Sequence, residues 1–132
     1  MYSNVNILKD PDFTGKKILV AEDDKVNFAL IDIILRKTGA KIYHAWNGLQ
    51  VIELIRKYKD ISLILMDIKM PIMNGYDATK QVKEINPQIK VIAQTAYALG
   101  EDKYRCYEAG CIDYIAKPIS RNALFEVLGK YI

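Results

Sequence analysis

Asp67 ends the apolar part of LILMDIKMPIMNG, residues 63–75, where four apolar side chains run straight into a lone carboxylate. One Asp there means little, because Asp often opens a turn. Three other short stretches offer it partners. Glu22, Asp23 and Asp24 follow KKILVA, Thr95 follows IKVIAQ, and Lys117 follows CIDYIA with Pro118 after it. On one edge of a sheet these would gather two or three carboxylates, a hydroxyl and an ammonium. Crowded carboxylates repel unless a cation sits among them. Mg²⁺ suits such a set, because it takes oxygen ligands and leaves the remaining positions to water and phosphate. A lysine supplies a point charge for a phosphoryl oxygen, and a Ser/Thr hydroxyl can donate to one. Phosphoryl transfer is mostly positioning and charge neutralisation, and an Asp carboxylate can itself be the nucleophile, forming an aspartyl-phosphate.

For these residues to meet, strands and helices must alternate, and the sequence has that pattern. KKILVA, AKIYHA, SLILM, IKVIAQ and CIDYIA are short apolar runs with polar flanks. Between and after them lie helical patterns. KVNFALIDIILRKTG carries Val26, Leu30, Ile33 and Ile34 on the expected buried face and stops at Gly39. NGLQVIELIRKYK has Asn47 as its cap. NGYDATKQVKEIN closes at Pro87, a fourth helix is expected around GEDKYRCYEAG, and SRNALFEVLGKYI has Ser120 as its cap with Leu124, Leu128 and Tyr131 on one face. Strands that are apolar on both faces and alternate with helices predict a parallel sheet covered on both sides. Ligands of such sheets sit outside the carboxyl ends of the strands, which is where the polar residues fall. Residues 1–15, with Pro11 and Gly15 as punctuation, read as a linker or disordered leader, and residues 16–132 as one domain.

The chain of 132 residues is long enough for one well-buried core, and its net charge of +3 is mild. Without a run of Lys/Arg interleaved with aromatics, nucleic acid is not expected as a partner. Cys106 and Cys111 are too few for a disulfide framework and lack metal spacing, so they are read as packing residues in a reduced compartment. No stretch has the length of a membrane span, and the first residues lack the pattern of a secretory signal. A cytoplasmic location, with no membrane contact by this domain, is the default expectation.

Taken in order, ILVAEDDKVN, LILMDIKMPIMNG, VIAQTA and YIAKP resemble the receiver domain of two-component response regulators over residues 16–132. The resemblance implies a flavodoxin-like (βα)5 three-layer sandwich with strand order 2-1-3-4-5. It implies Asp67 as phosphoacceptor, Thr95 as switch hydroxyl, Lys117 as the family's lysine, and Tyr114 as the aromatic switch. Placing Asn27 on the family's second Asn makes Glu22 and Asp23 the acidic pair. Mg²⁺ would then be held by Asp23 and Asp67, by Glu22 through water, and by the backbone carbonyl of Lys69. Asp24 departs from the family's Asn and is read as an N-cap. The Lys117–Pro118 bond would be cis. A histidine kinase or phosphotransfer protein would be the donor, and an effector would read the surface formed by the fourth helix, fifth strand and fifth helix, near Tyr104, Tyr107 and Phe125. In the receiver family the residues two beyond the acceptor Asp and two beyond the switch Thr flank the path of hydrolytic water; by this resemblance they are Lys69 and Tyr97 here, which predicts a long-lived phosphorylated state.

Three other readings compete. A phosphohydrolase of the haloacid dehalogenase type uses the same groups but places a second Asp two residues after the nucleophile, where this chain has Lys69. A docking module without phosphorylation would lack one of the acceptor, metal or switch residues. A flavodoxin-type carrier needs a Ser/Thr/Gly-rich phosphate loop after the first strand. His44 has no partner in the sequence and is read as a surface residue, and Met66, Met70 and Met73 are read as packing. The expected domain fills the sequence. That leaves a single-domain regulator, the receiver of a hybrid histidine kinase, or that of a larger regulator, and DFTGKKILVAEDD with Asn27 resembles a hybrid-kinase junction.

Overall fold

The computed structural model describes residues 10–96 and 100–132. The expected alternation gives β1 (Lys17–Ala21), α1 (Lys25–Arg36), β2 (Lys41–Ala45), α2 (Gly48–Lys57), β3 (Leu63–Asp67), α3 (Gly75–Ile85), β4 (Lys90–Thr95), α4 (Glu101–Ala109), β5 (Asp113–Ala116) and α5 (Arg121–Gly129). Every pairing is parallel, and the sheet order is β2-β1-β3-β4-β5, the flavodoxin-like order.

Side-chain alternation along the strands builds two cores. Ile18, Val20, Leu63, Leu65 and Ile92 face the layer of α1 and α5, where they meet Ile31, Leu35, Leu124 and Leu128. Leu19, Ala21, Ile64, Met66, Val91 and Ala93 face α2, α3 and α4, where they meet Val51, Ile55, Ala78, Val82 and Cys106. The strands read as continuous apolar runs because both faces are covered. Each such Leu or Ile contributes about 1.5–3 kcal/mol by leaving water.

Four helices begin with a side-chain cap, which sets where each strand–helix loop ends. Asp24, Asn47, Asn74 and Ser120 accept from the backbone N–H of Asn27, Gln50, Asp77 and Ala123 at 2.9, 2.9, 3.0 and 3.1 Å. In α4, Gly100 holds that position without a side-chain bond.

The expected face of α1 needs correction. Ile34 is buried with Ile31 and Leu35, but Val26, Leu30 and Ile33 are 80%, 46% and 58% exposed. At about 100° per residue the two rows lie roughly 130° apart round the helix. A helix with apolar residues on both rows has two candidate faces, and the sheet takes only one. The expected leader also contributes to the fold. Phe13 is buried against the α1–α5 layer, its N–H donates to the Thr38 carbonyl at 2.7 Å, and Asp10 pairs with Arg121 at 2.5 Å.

Candidate functional site

Because the strands are parallel, β1, β3, β4 and β5 all deliver their last residues to one edge. Glu22 follows β1 and is wholly buried, its backbone N–H donating to the Ala45 carbonyl at 3.0 Å. Its carboxylate accepts from the Asn27 side-chain amide and, at 3.2 Å, from the Asp24 N–H. Asp67 ends β3 and is 3% exposed. Its Oδ1 accepts from the Lys69 N–H at 3.3 Å and lies 3.0 Å from the Lys117 ammonium, which is also 3.5 Å from Glu22. Carboxylate oxygens of Glu22, Asp23 and Asp67 all lie within 4.8 Å of one another, and Asp23 is the exposed member. Asp24 stands outside this trio, its carboxylate being engaged as the α1 cap.

The electrostatics follow from burial. Loss of solvent first, then the Glu22 charge, push the Asp67 carboxyl up to about 7 from 3.8, against the pull of Lys117. Burial works against the Lys117 charge, but the Asp67 and Glu22 carboxylates outweigh it and hold the ammonium above its ordinary range. Three carboxylates face one ammonium. A divalent cation with oxygen preference fits that surplus of charge and donor set.

Thr95 ends β4 and is buried, and its carbonyl accepts from the Lys117 N–H at 2.8 Å, tying the ends of β4 and β5 together. A cleft of about 510 Å³ opens over these groups, lined by Asp67, Lys69, Thr95, Ala96 and Lys117, with Tyr76 on its far wall. The Lys117–Pro118 peptide is cis. The loop after Asp67 turns through Ile72 at φ +69° and returns with the Gly75 N–H on the Ile68 carbonyl at 2.8 Å. A Cβ at Gly75 would overlap the Asp67 carbonyl, so this glycine lets the start of α3 close against the site.

Three features were not foreseen. His44 is not a partnerless surface residue: its ring stacks on Phe28 at 3.5 Å, touches Trp46 at 4.1 Å, and its Nε2 is 2.9 Å from the Glu22 carbonyl. No sequence signal links strand 2 to that carbonyl; the β1–β2 pairing makes the link. Gln94 pairs in register with Asp67 and is fully buried, yet neither its Nε2 nor its Oε1 has a hydrogen-bond partner among the described residues. A glutamine inside an otherwise apolar strand, VIAQT, was the available signal. Arg105 also lines the cleft, its guanidinium 4.2 Å above the Tyr76 ring.

Tyr114 is half-buried on β5, edge-on to Tyr107 at 6.3 Å and with the Lys103 ammonium 5.3 Å from its ring. Tyr104 and Tyr107 are exposed, and Phe125 packs half-buried on the α1–α5 core. Met66 and Met70 are buried packing residues, with Met73 packed against them. Tyr97 lies outside the described residues. Among the described residues no helix is long and apolar enough to cross a membrane.

Comparison with known proteins agrees with this geometry. The family model for the response regulator receiver domain matches residues 18–129. Hybrid signal transduction histidine kinase I of Dictyostelium discoideum is 40% identical over 125 residues, which are 89% of this chain and 7% of that protein's length. The receiver domain of sensor histidine kinase PA1611 from Pseudomonas aeruginosa PAO1, solved with a magnesium ion coordinated in its active-site cleft, superposes with a TM-score of 0.82 at 33% identity, covering 89% of this chain and 98% of that one. The receiver of the Saccharomyces cerevisiae response regulator Ssk1, solved with the histidine phosphotransfer protein Ypd1, gives 0.85 at 25% identity over 93% and 90%.

Proposed function

This chain belongs to the response regulator receiver domain family, and from that premise we propose that Asp67 is its phosphoacceptor, taking a phosphoryl group from a phosphohistidine and switching a distant surface. The carrying observation is a buried carboxylate at the end of β3 with an ammonium 3.0 Å away and two further carboxylates alongside. In the transfer, an Asp67 oxygen forms the new bond to phosphorus, and the bond from phosphorus to the donor imidazole breaks, its electron pair staying on the ring nitrogen. Lys117 sits where it can hold a phosphoryl oxygen, and the Thr95 hydroxyl stands at the next strand end to donate to another. Glu22, Asp23, Asp67 and the Lys69 carbonyl would hold Mg²⁺, the ion that the PA1611 receiver coordinates in its own active-site cleft. Bound there, the ion would neutralise the carboxylates and polarise the phosphoryl oxygens.

The domain then catalyses only its own phosphorylation and dephosphorylation. Lys69 stands where a phosphohydrolase would carry its acid/base carboxylate, and a protonated lysine cannot serve as that base. New charge on Asp67 would give Thr95 and Lys117 a new partner, bias Tyr114 inward, and alter the surface of α4, β5 and α5 by population shift.

A donor must reach the site from outside. The exposed row Val26, Leu30 and Ile33 runs along α1, and Val26 and Leu30 share a groove with Lys117 and Pro118. An apolar row leading to the acceptor fits a helical surface carrying a phosphohistidine, and Ssk1, whose receiver resembles this chain, was solved with such a phosphotransfer protein. The family's hybrid kinases make that context the favoured one. Leu30→Asp tests this docking row. Phosphorylation by acetyl phosphate should stay at the parent rate, while transfer from a phosphorylated phosphotransfer protein or kinase domain should fall by about tenfold or more, as for an apolar interface anchor. Equal rates with the protein donor would remove α1 from the interface; loss with both donors would mean the change acts on the site itself.

A further inference from the structure

We propose that Cys106 and Cys111 are a reversible disulfide site, a pair of thiols that a hydroperoxide oxidises to a bond tying the last turn of α4 to the start of β5.

The way α4 stops is what brings the two thiols together. Gly110 takes φ +117°, a left-handed conformation suited to glycine. Two nested hydrogen bonds close the helix: the Cys111 N–H donates to the Cys106 carbonyl at 2.9 Å, and the Gly110 N–H to the Tyr107 carbonyl at 3.1 Å. In this type of helix end, the residue after the glycine folds back over the residue five positions earlier, and their side chains meet. In most proteins that contact is between two apolar groups. Here both positions are cysteine, so the backbone motif itself delivers two thiols to each other. Both thiols are free and buried in the same core cluster. A disulfide requires Cα atoms about 4.4–6.8 Å apart, a separation compatible with a 2.9 Å hydrogen bond between the backbones of the same two residues.

The surroundings divide the roles. The neighbouring Cys111 thiol above all, with smaller contributions from Tyr76 and Arg105, draws the Cys106 thiol below its ordinary range, against burial and the Asp102 charge. Cys111 is pushed up, first by its bond to Cys106 and then by burial, and its sulfur lies 3.8 Å from the Thr79 hydroxyl. Cys106, which follows the cationic Arg105 in α4, takes the attacking role here, and Cys111 the resolving one. Both are buried, which favours a small oxidant over a bulky one. Tyr76 and Arg105, which act on Cys106, line the cleft above Asp67, so that cleft lies one layer of side chains from the thiol.

The chemistry balances. The Cys106 thiolate attacks one peroxide oxygen, the O–O bond breaks, and the departing hydroxide takes a proton to leave as water. The sulfenic acid on Cys106 is then attacked by the Cys111 sulfur, which gives up its proton as the second water leaves. Two thiols lose two electrons and the peroxide gains them. A dithiol reductant reverses the step by exchange.

Hydrogen peroxide on the folded, metal-free chain tests this, read by mass on the tryptic peptide spanning 106–121, which holds both cysteines and no methionine. The expected product is that peptide lighter by two hydrogens, with no thiol left to alkylate, in a monomeric chain that dithiothreitol restores. Cys111→Ser should instead gain one oxygen at Cys106, trapped by dimedone, and Cys106→Ser should react far more slowly than either. A wild-type peptide that stays fully alkylatable under conditions that oxidise glutathione in the same solution overturns the proposal. So does one that accumulates oxygen adducts without closing, or one that links chains to each other; these readouts hold even where a serine variant fails to fold.

Discussion

Replacing Asp67 by Asn should stabilise the metal-free domain near neutral pH and leave it almost unchanged near pH 4. An acid whose folded pKa lies above its unfolded value keeps its proton in the folded chain at a pH where the unfolded chain has released it, so stability falls as pH rises between the two values. For Asp67 that window runs from 3.8 to about 7. At about 1.4 kcal/mol per pH unit, the full cost at the top of the window is about 4 kcal/mol. That figure is already net of the 3.0 Å ion pair with Lys117, which keeps Glu22 as a partner at 3.5 Å in the variant. Relaxation and water entry around a buried charge lower the real cost, so the expected gain at pH 8 is about 2–4 kcal/mol. Urea unfolding of parent and variant in a chelating buffer, from about pH 4 to pH 8, measures it through the shift in midpoint at constant slope. The gap should widen with pH up to about 7 and then level off. A gap that does not change with pH, or a variant less stable throughout, would refute the reasoning that burial and Glu22 dominate at Asp67.

The roles of neighbouring carboxylates separate cleanly. Asp23→Asn should weaken Mg²⁺ binding, followed by titration calorimetry, at least tenfold more than Asp24→Asn, since Asp24 is spent on the α1 cap at 2.9 Å and Asn caps about as well as Asp; equal losses would put the acidic pair one position further along. Beryllofluoride with Mg²⁺, as a phosphoryl mimic, should shift backbone NMR resonances of Thr95, Tyr114 and the exposed face around Tyr104 and Tyr107 as a shift between two populations. Shifts confined to residues around Glu22, Asp23 and Asp67 would sink the switch.

Much of this was legible because the signals were redundant. The three inner strands are apolar on both faces, each helix but α4 begins with a capping side chain, and parallel strands must end together, so Asp67, Thr95 and Lys117 converge whatever the details of the loops. Asp24 as a cap could be read the same way. What the sequence did not disclose depends on a choice between equivalent surfaces or on contacts between distant segments. α1 carries two apolar rows, and only packing decides that Ile31, Ile34 and Leu35 go inward while Val26, Leu30 and Ile33 stay out. Phe13 looked like part of a leader because Pro11 and Gly15 flank it, but an aromatic side chain has much to gain from the α1–α5 core. His44 finds the Glu22 carbonyl only because β2 pairs with β1, and the Gln94 amide stands beside Asp67, without a partner among the described residues, only because β4 pairs with β3.

The central claim is that a phosphoryl group settles on Asp67. Borohydride reduces an acyl phosphate to the alcohol, so an aspartyl-phosphate becomes homoserine and stays on the peptide through digestion. After incubation with acetyl phosphate and Mg²⁺, fragmentation of the tryptic peptide spanning 60–69 distinguishes Asp67 from the exposed Asp60 in the same peptide. The expected result is homoserine at Asp67, none at Asp60, and none anywhere when Mg²⁺ is chelated. Homoserine at Asp23 or Asp24 with Asp67 unmodified would contradict it.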